Sequence, residues 1–129
     1  MKTLGLLFLI FAGSREKQVF LWNKIEEEIH MTITEFLQKT NYCEYGCWPR
    51  VHCADGFSVS VQASQYHYCR PRIDNAEKYN AVELGYPSAA DDLITDYAED
   101  DTYTDTVYGY VPVEIVDKLI EKHGGIVDL

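Results

Sequence analysis

Basic side chains are scarce in this chain, and one long stretch has none. The 129 residues carry 11 Lys and Arg against 21 Asp and Glu, a formal net charge of −10. Residues 79–117 contain no Lys, Arg or His, so the whole imbalance lies there. Such a field repels nucleic acid and anionic membranes and attracts basic proteins. We therefore expect a protein partner with a basic surface, no direct nucleic-acid binding and no membrane binding.

The few basic residues are too scattered for nucleic-acid recognition. One local exception is the pair Arg70 and Arg72, which lies beside Tyr66 and Tyr68. Guanidinium groups bind carboxylates and phosphates through planar, paired hydrogen bonds. This pair could therefore bind one anionic group.

Catalytic and cofactor motifs are also missing. The chain has no glycine-rich phosphate loop, and Asp100-Asp101 with Asp105 lacks the alternating oxygens and central glycine of a calcium loop. His67 and Cys69 would share one face of a strand, where the imidazole could activate the thiol. No oxyanion-hole pattern accompanies them. The sequence thus favours a protein that is not an enzyme.

The N-terminal residues have two interpretations. Lys2, the apolar run 4–12 and Ala12-Gly13-Ser14 resemble a short secretory signal over residues 1–14, which would make the protein secreted. The run is too short to span a bilayer, which needs about 20 apolar residues. Alternatively, Met31 is the true start, because Thr32-x-x-Glu35 is a capping box that begins a helix. We favour an extension over residues 1–30 and a single domain over 31–129.

A continuous helix through that boundary is the competing possibility. It would place one apolar stripe along the helix. The stripe consists of Trp22, Ile25, Ile29, Ile33 and Phe36.

Hydrophobic patterning predicts a small α+β domain. Phe57, Val59, Val61 and Ala63 alternate with polar residues, as on a half-buried strand. Further elements follow the same rules: a helix from Thr32, a returning strand over 66–69, a strand over 82–86, a helix over 88–98, a strand over 106–111, and a helix that begins at Pro112 and ends at Gly124. The hairpin 53–69 would be central. We expect a mostly antiparallel sheet of about four strands with helices on one face.

The acidic stretch predicts a binding surface. On the predicted helix 88–98, Asp92, Asp96 and Glu99 share one face at i, i+4 and i+7. Carboxylates one turn apart resemble the DNA phosphates, which are spaced about 3.4 Å along a strand, and tyrosines add contact area. The predicted surface, a nucleic-acid mimic towards a basic groove, comprises Asp92, Asp96, Tyr97, Glu99, Asp100, Asp101, Tyr103 and Asp105. A merely solvated face is the alternative.

Cysteine and histidine residues gather in a separate stretch, residues 43–69, and allow three interpretations. The candidate zinc ligands are Cys43, Cys47, Cys53, His67 and Cys69. The Cys43-x3-Cys47 spacing suits half of a zinc site, although the second half is poorly spaced. Cys53–Cys69 and Cys43–Cys47 disulfides would need an oxidising compartment. Buried free thiols that act as small apolar side chains are the third possibility.

Several segments together resemble small proteins of unknown activity found in phages and prophages of Firmicutes. The segments are 53–64, 67–72, 82–88, 97–100 and 107–112, and the resemblance covers residues 31–128. It implies no fold, activity or catalytic residue. It does imply a reducing host cytoplasm, and a role in binding and blocking a host protein such as a defence nuclease.

Overall fold

The structure, a computed structural model, describes residues 15, 30–40 and 47–127. The chain divides into two compact units, Met1–His30 and Met31–Leu129. In the first unit the described residues are Arg15, which is exposed and helical, and His30. The predictions that lie outside the described residues are the signal-like segment 1–14, the helical positions Trp22, Ile25 and Ile29, and the zinc or disulfide role of Cys43.

The second unit has an α+β fold. Its elements in chain order are α1 (Ile33–Lys39), β1 (Val51–His52), β2 (Ser58–Gln62), β3 (Ala81–Gly85), a 3-10 turn (Thr95–Tyr97), β4 (Val107–Pro112) and α2 (Val113–Lys122). The four strands form one sheet in the order β1-β2-β3-β4, and every neighbouring pair is antiparallel. The predicted fold class and sheet are confirmed.

The period-2 pattern of the strands builds the core. Val59 and Val61 of β2 are fully buried, whereas Ser60 and Gln62 between and after them are only half-buried. Val61 pairs with Leu84 of β3, which is also fully buried. Burial of each such side chain contributes about 1.5–3 kcal/mol. Both helices add side chains to this core: Ile33, Phe36, Leu37, Val113, Val116, Leu119 and Ile120.

A bulge in β4 aligns two further side chains with the core. Val82 pairs with Val111 and Leu84 with Tyr108, so β4 contains one more residue than β3 between these pairs. The extra residue shifts the alternation, and Tyr108 and Val111 are therefore both fully buried. Tyr110, within the bulge, has φ +53°.

The start of α1 is capped from two directions. The Thr32 Oγ1 accepts the Glu35 N–H at 3.1 Å, as the capping box predicts. From α2, the Asp117 Oδ1 accepts the Ile33 N–H at 2.7 Å. The second bond joins the two helices, and it comes from a residue 84 positions away. In α2 itself, Pro112 is the N-cap residue rather than the predicted first helical residue.

Both outer strands of the sheet are covered by neighbouring chain. Beside β1, Ile126 pairs with Cys53. Beside β4, Ala98 pairs with Tyr108, and the Glu99 N–H donates to Val107 O at 3.0 Å. The segment that covers β4 is thereby fixed to the sheet.

The central hairpin differs from the prediction. Its strands are β1 and β2, joined through the turn at 53–57, where Gly56 has φ +95°. The predicted returning strand 66–69 is wrong, because Ser64 folds the chain into a local turn. The Ser64 Oγ accepts the Tyr66 N–H at 3.0 Å and lies 2.7 Å from the His67 Nδ1. Such local bonds compete with strand pairing.

The predicted helix 88–98 is also wrong, since the structure has turns there and only the 3-10 turn Thr95–Tyr97. The Ser88 Oγ accepts the Ser58 N–H at 2.9 Å, and the Ser88 N–H donates to Ser58 O at 2.8 Å. Ser88 therefore extends the pairing of β2 instead of capping a helix. The Asp91 Oδ1 accepts the Leu93 N–H at 3.0 Å, which closes a tight turn.

Candidate functional site

The predicted acidic residues lie on one irregular segment, residues 92–105, here called the acidic segment. Its six carboxylate residues are exposed: Asp92, Asp96, Glu99, Asp100, Asp101 and Asp105. Tyr97 and Tyr103 are half-buried. Because no helix forms, the proposed spacing of charges at one helical turn is wrong. The segment presents negative charge without a helical repeat.

The backbone of the acidic segment is held by Tyr108. This side chain is fully buried in the core, and its hydroxyl donates to Tyr103 O. Burial raises the pKa of Tyr108, so the hydroxyl remains a donor at neutral pH. Together with the pairing of Ala98 and Glu99 to β4, this bond attaches the segment at its middle and near its C-terminal end.

In the part of the chain that the structure describes, no cation forms a salt bridge with the carboxylates of the acidic segment. Salt bridges in the described residues join Lys122 and His123 to Asp91 and His123 to Asp55, and none involves the six carboxylates. The Asp100 Oδ1 accepts the hydroxyl of Thr102 at 2.6 Å and its N–H at 2.9 Å. These bonds lower the pKa of Asp100. The carboxylate is therefore ionised at neutral pH.

A second charged group, which sequence reasoning missed, is centred on His123. The His123 Nδ1 lies 2.6 Å from the Asp55 Oδ2, and the Nε2 lies 2.8 Å from the Asp91 Oδ2. Lys122 Nζ lies 3.1 Å from the Asp91 carboxylate, and Phe57 stacks on the imidazole at 4.0 Å between ring centroids. We call these four polar residues, Asp55, Asp91, Lys122 and His123, the His123 clamp.

The His123 clamp favours a protonated imidazole. Two carboxylates can both be satisfied only if both ring nitrogens carry a proton. Burial lowers the pKa of His123, but the hydrogen bonds to Asp55 and Asp91 outweigh it and raise the pKa above 6.5. Burial raises the pKa of Asp91, but hydrogen bonds from Leu93, His123 and Lys122 lower it below 3.8. With both nitrogens engaged, the ring is a structural ion pair and not an available base.

The described cysteines and the histidine of the predicted zinc site contact different groups and do not meet at one position. Cys53 and Cys69 are buried free thiols, so the Cys53–Cys69 disulfide is not formed. The Cys69 Sγ donates to Ser64 O at 3.1 Å, and His67 contacts the Ser64 hydroxyl, so the two do not form a nucleophile pair. Cys47 is exposed. Over residues 15, 30–40 and 47–127, no group of three or more potential ligands converges on a metal position.

The two buried thiols are also poorly ionised. Burial, with a smaller effect of Asp55, raises the pKa of Cys53 to about 11. Burial likewise raises the pKa of Cys69. The thiolate is the form that attacks substrates and binds metals. Both residues therefore act in this fold as small apolar side chains.

A group of arginine and tyrosine side chains lies next to β4, and we call it the Arg/Tyr cluster. Its members are Tyr68, Arg70, Arg72 and Tyr110. Arg72 Cζ lies 5.3 Å from the Tyr68 ring centroid, and Arg70 Cζ lies 5.1 Å from that of Tyr110. The two rings are 5.8 Å apart. Arg72 thus lies over Tyr68 and Arg70 over Tyr110, and the binding of an anionic group by the two arginines stays a prediction. Tyr66, 78% exposed, has no ring contact within the described chain.

A shallow pocket of about 180 Å³ lies between α1 and the loop before β3. Trp48, Gln38 and Tyr79 are among its lining residues. Trp48 is held by a bond from its Nε1 to Leu37 O at 3.0 Å. Its charged lining residues are Glu77 and Lys78.

Comparison of the chain with protein-family models, with curated proteins and with solved structures finds no match. None of the helices among the described residues is long and apolar enough to cross a membrane. The class that the fold defines is a small α+β domain with one acidic and one cationic–aromatic surface.

Proposed function

We propose that this chain is a non-enzymatic interaction protein whose acidic segment binds a basic surface on another protein. The observation that carries the proposal is a fixed backbone that bears six exposed carboxylates. Among the described residues none of these carboxylates has a cationic partner. The basic surface we have in mind is one that otherwise binds nucleic acid.

Preorganisation supports this function. A loop that must be ordered on binding loses affinity through conformational entropy. Here Ala98, Glu99 and Tyr103 are already bonded to β4. The uncompensated charge would also accelerate encounter with a basic partner. The charge and the rigidity of the acidic segment support the binding role, and a helical spacing of its carboxylates is not required.

His123 and the two buried thiols are poorly suited to perform chemistry. Both ring nitrogens of His123 contact carboxylates, and the thiols of Cys53 and Cys69 are buried with raised pKa values. This supports a binding role over catalysis. The resemblance to phage proteins would make the partner a host protein, such as a defence nuclease, that the chain blocks in the cytoplasm.

A competition assay tests the proposal. A fluorescent DNA duplex is bound to each member of a panel of purified basic DNA-binding proteins, and the chain is titrated in while anisotropy is recorded. We expect displacement of DNA from at least one member. The variant Asp96→Lys with Asp101→Lys should displace it about tenfold less well, a loss of about 1.4 kcal/mol.

The matched control is Glu77→Lys with Glu121→Lys, which changes the net charge equally at exposed positions outside the acidic segment. This control should retain most of the displacement. Equal losses in the two variants would mean that only net charge matters. If no panel member releases DNA, or if the Asp96 and Asp101 variant competes like wild type, the proposal is wrong.

A further inference from the structure

The Arg/Tyr cluster has the composition of an interaction surface. Tyr68 and Tyr110 are each 39% exposed, and Arg70 and Arg72 are exposed. Tyrosine and arginine are the residue types that most often dominate binding energy at interfaces. A guanidinium that stacks on a ring keeps its N–H groups in the plane, where they can bind a carboxylate with two parallel bonds.

The backbone holds this cluster in place. The Tyr110 N–H donates to Tyr68 O at 3.0 Å, and the Tyr68 N–H donates to the Glu83 Oε2 at 2.9 Å. Gly109 lies under Tyr68, where an added Cβ would be 3.4 Å from the Tyr68 Cβ. Tyr110 adopts φ +53°, which is costly for a tyrosine and persists only where surrounding contacts impose it. The cluster is therefore preorganised.

The chemistry of the cluster selects an anionic partner. A net charge of −10 disfavours a nucleic acid, and protein carboxylates are a class of anion that guanidinium groups bind with paired hydrogen bonds. Neither arginine forms a salt bridge within residues 47–127. The six carboxylates of the acidic segment likewise form no salt bridge with any described residue. A second copy of the chain therefore offers a complementary surface.

The two surfaces are neighbours along β4. Both border β4: the acidic segment pairs at Val107 and Tyr108, and the Arg/Tyr cluster covers Gly109 and Tyr110. A patch with a negative end and a positive end is self-complementary when a copy is rotated by a half-turn. Each copy then contributes one cluster and one acidic segment, so the favourable contact occurs twice.

We propose that the chain forms a two-fold dimer in which the Arg/Tyr cluster of one copy binds the acidic segment of the other. The proposal goes beyond the proposed function, because it assigns a partner to the Arg/Tyr cluster. A basic partner and the second copy would compete for the same carboxylates. Repulsion between the net negative charges of the two copies is screened beyond about 8 Å at physiological salt. Charge pairs closer than this therefore determine whether the two copies associate.

Sedimentation velocity over a concentration series tests the dimer, with charge reversals mixed in trans. One variant is Arg70→Glu with Arg72→Glu, and the other is Asp101→Lys with Asp105→Lys. Wild type should reach twice the mass of 14.8 kDa and no more. Each variant alone should be monomeric, because like charges then face each other. An equimolar mixture should restore the dimer, because both contacts become attractive again.

Lys78→Glu with Lys118→Glu is the matched control for the arginine variant, since it adds the same charge at exposed positions. The control should still form dimers. A wild-type chain that stays monomeric, a dimer that survives either reversal alone, or a mixture that fails to associate would overturn the proposal. If the charge reversal impairs folding, the milder variant Arg70→Gln with Arg72→Gln takes its place. This variant should also fail to form the dimer. The arginine variants leave the acidic segment intact, so their failure is distinct from failure of the proposed function.

Discussion

The imidazole of His123 lies 2.8 Å from the buried carboxylate of Asp91, Nε2 to Oδ2. Asp91 is only 6% exposed, and it comes from the turn that begins the acidic stretch, whereas His123 ends α2. A buried ion costs several kcal/mol in desolvation unless it is paired and hydrogen-bonded. The pair therefore joins the residue directly before the acidic segment to the C-terminal end of α2.

Stability should depend on the ionisation of the His123 clamp. The folded pKa of His123 is raised above 6.5, so its contribution is complete below pH 6.5 and is lost as pH rises through the folded value. The pKa of Asp91 is lowered, so its contribution is complete above pH 3.8 and is lost as pH falls through the folded value. The clamp is therefore fully effective between pH 3.8 and 6.5.

His123→Gln should lower the free energy of unfolding in that window by about 1–3 kcal/mol, because it leaves a buried charge less well bonded. The loss should shrink towards alkaline pH. Urea unfolding across the pH range measures it, and the exposed His52→Gln is the control. An unchanged pH profile in His123→Gln would show that the imidazole is neutral in the fold.

Asp117 should act through hydrogen bonding and not through charge. Burial raises its pKa, helped by Glu114 and Glu35 and opposed by the hydrogen bond from Ile33. A raised carboxyl pKa means that the charged form is disfavoured, so stability from this group is lost as pH rises. Asp117→Asn keeps the acceptor for the Ile33 N–H and should be neutral or stabilising at pH 7. Asp117→Ala should cost about 0.5–2 kcal/mol, as for other lost caps. Equal thermal shifts for both variants would contradict this.

Gly124 should be more sensitive to substitution than Gly56. Both have positive φ, +91° and +95°, a conformation that costs Ala about 1–2 kcal/mol. At Gly124 an added Cβ would also lie 2.9 Å from the Ala54 Cβ, whereas Gly56 has open space. Gly124→Ala should therefore lower stability by more than Gly56→Ala. Repeating Gly124→Ala with Ala54→Gly should recover the difference in chemical denaturation.

Tyr108→Phe should loosen the acidic segment while the sheet stays intact. It removes the hydrogen bond to Tyr103 O, worth about 0.5–1.5 kcal/mol, and leaves the buried ring in place. Amide hydrogen exchange should accelerate across residues 99–105 and not in β2 or β3. Tyr79→Phe is the control: it removes the bond from the hydroxyl to Ile73 O at 2.8 Å and the bond that the hydroxyl accepts from the Ala76 N–H at 3.2 Å. Equal exchange of the acidic segment in the two variants would mean that Tyr108 does not hold it.

Local patterns were sufficient to predict much of the fold. The alternation at Val59 and Val61, the capping box at Thr32 and the apolar stripe of α2 each depend on residues close in sequence. Such local patterns are informative because burial of the apolar face in the core stabilises the fold directly. The acidic residues were also found from sequence, since their excess is a property of composition.

The wrong helix at Ser88 and the missed His123 clamp came from contacts between distant residues, whereas the wrong strand 66–69 came from the local bonds of Ser64. Ser88 resembles a helix cap, but Ser58, 30 residues away, binds both its hydroxyl and its N–H. His123 is 68 residues from Asp55 and 32 from Asp91. No spacing rule connects such positions. The local signals available were the turn at Asp55-Gly56 and the helix end at Gly124, which indicate defined backbone positions for Asp55 and His123 but not a contact between them. The bulge that exposes Tyr110 was likewise hidden, because a tyrosine rarely adopts positive φ.

The covered sides of β1 and β4 determine how this domain can recognise another protein. Many small domains capture an extended peptide by lengthening their sheet, which uses main-chain groups and tolerates varied sequences. Here Ile126 and Val127 occupy the main-chain groups next to β1, and Ala98 and Glu99 occupy those next to β4. Strand addition to the sheet would require displacing one of these segments. Under the proposed function, side chains would therefore carry the recognition, and its specificity should respond sharply to single substitutions on the surface.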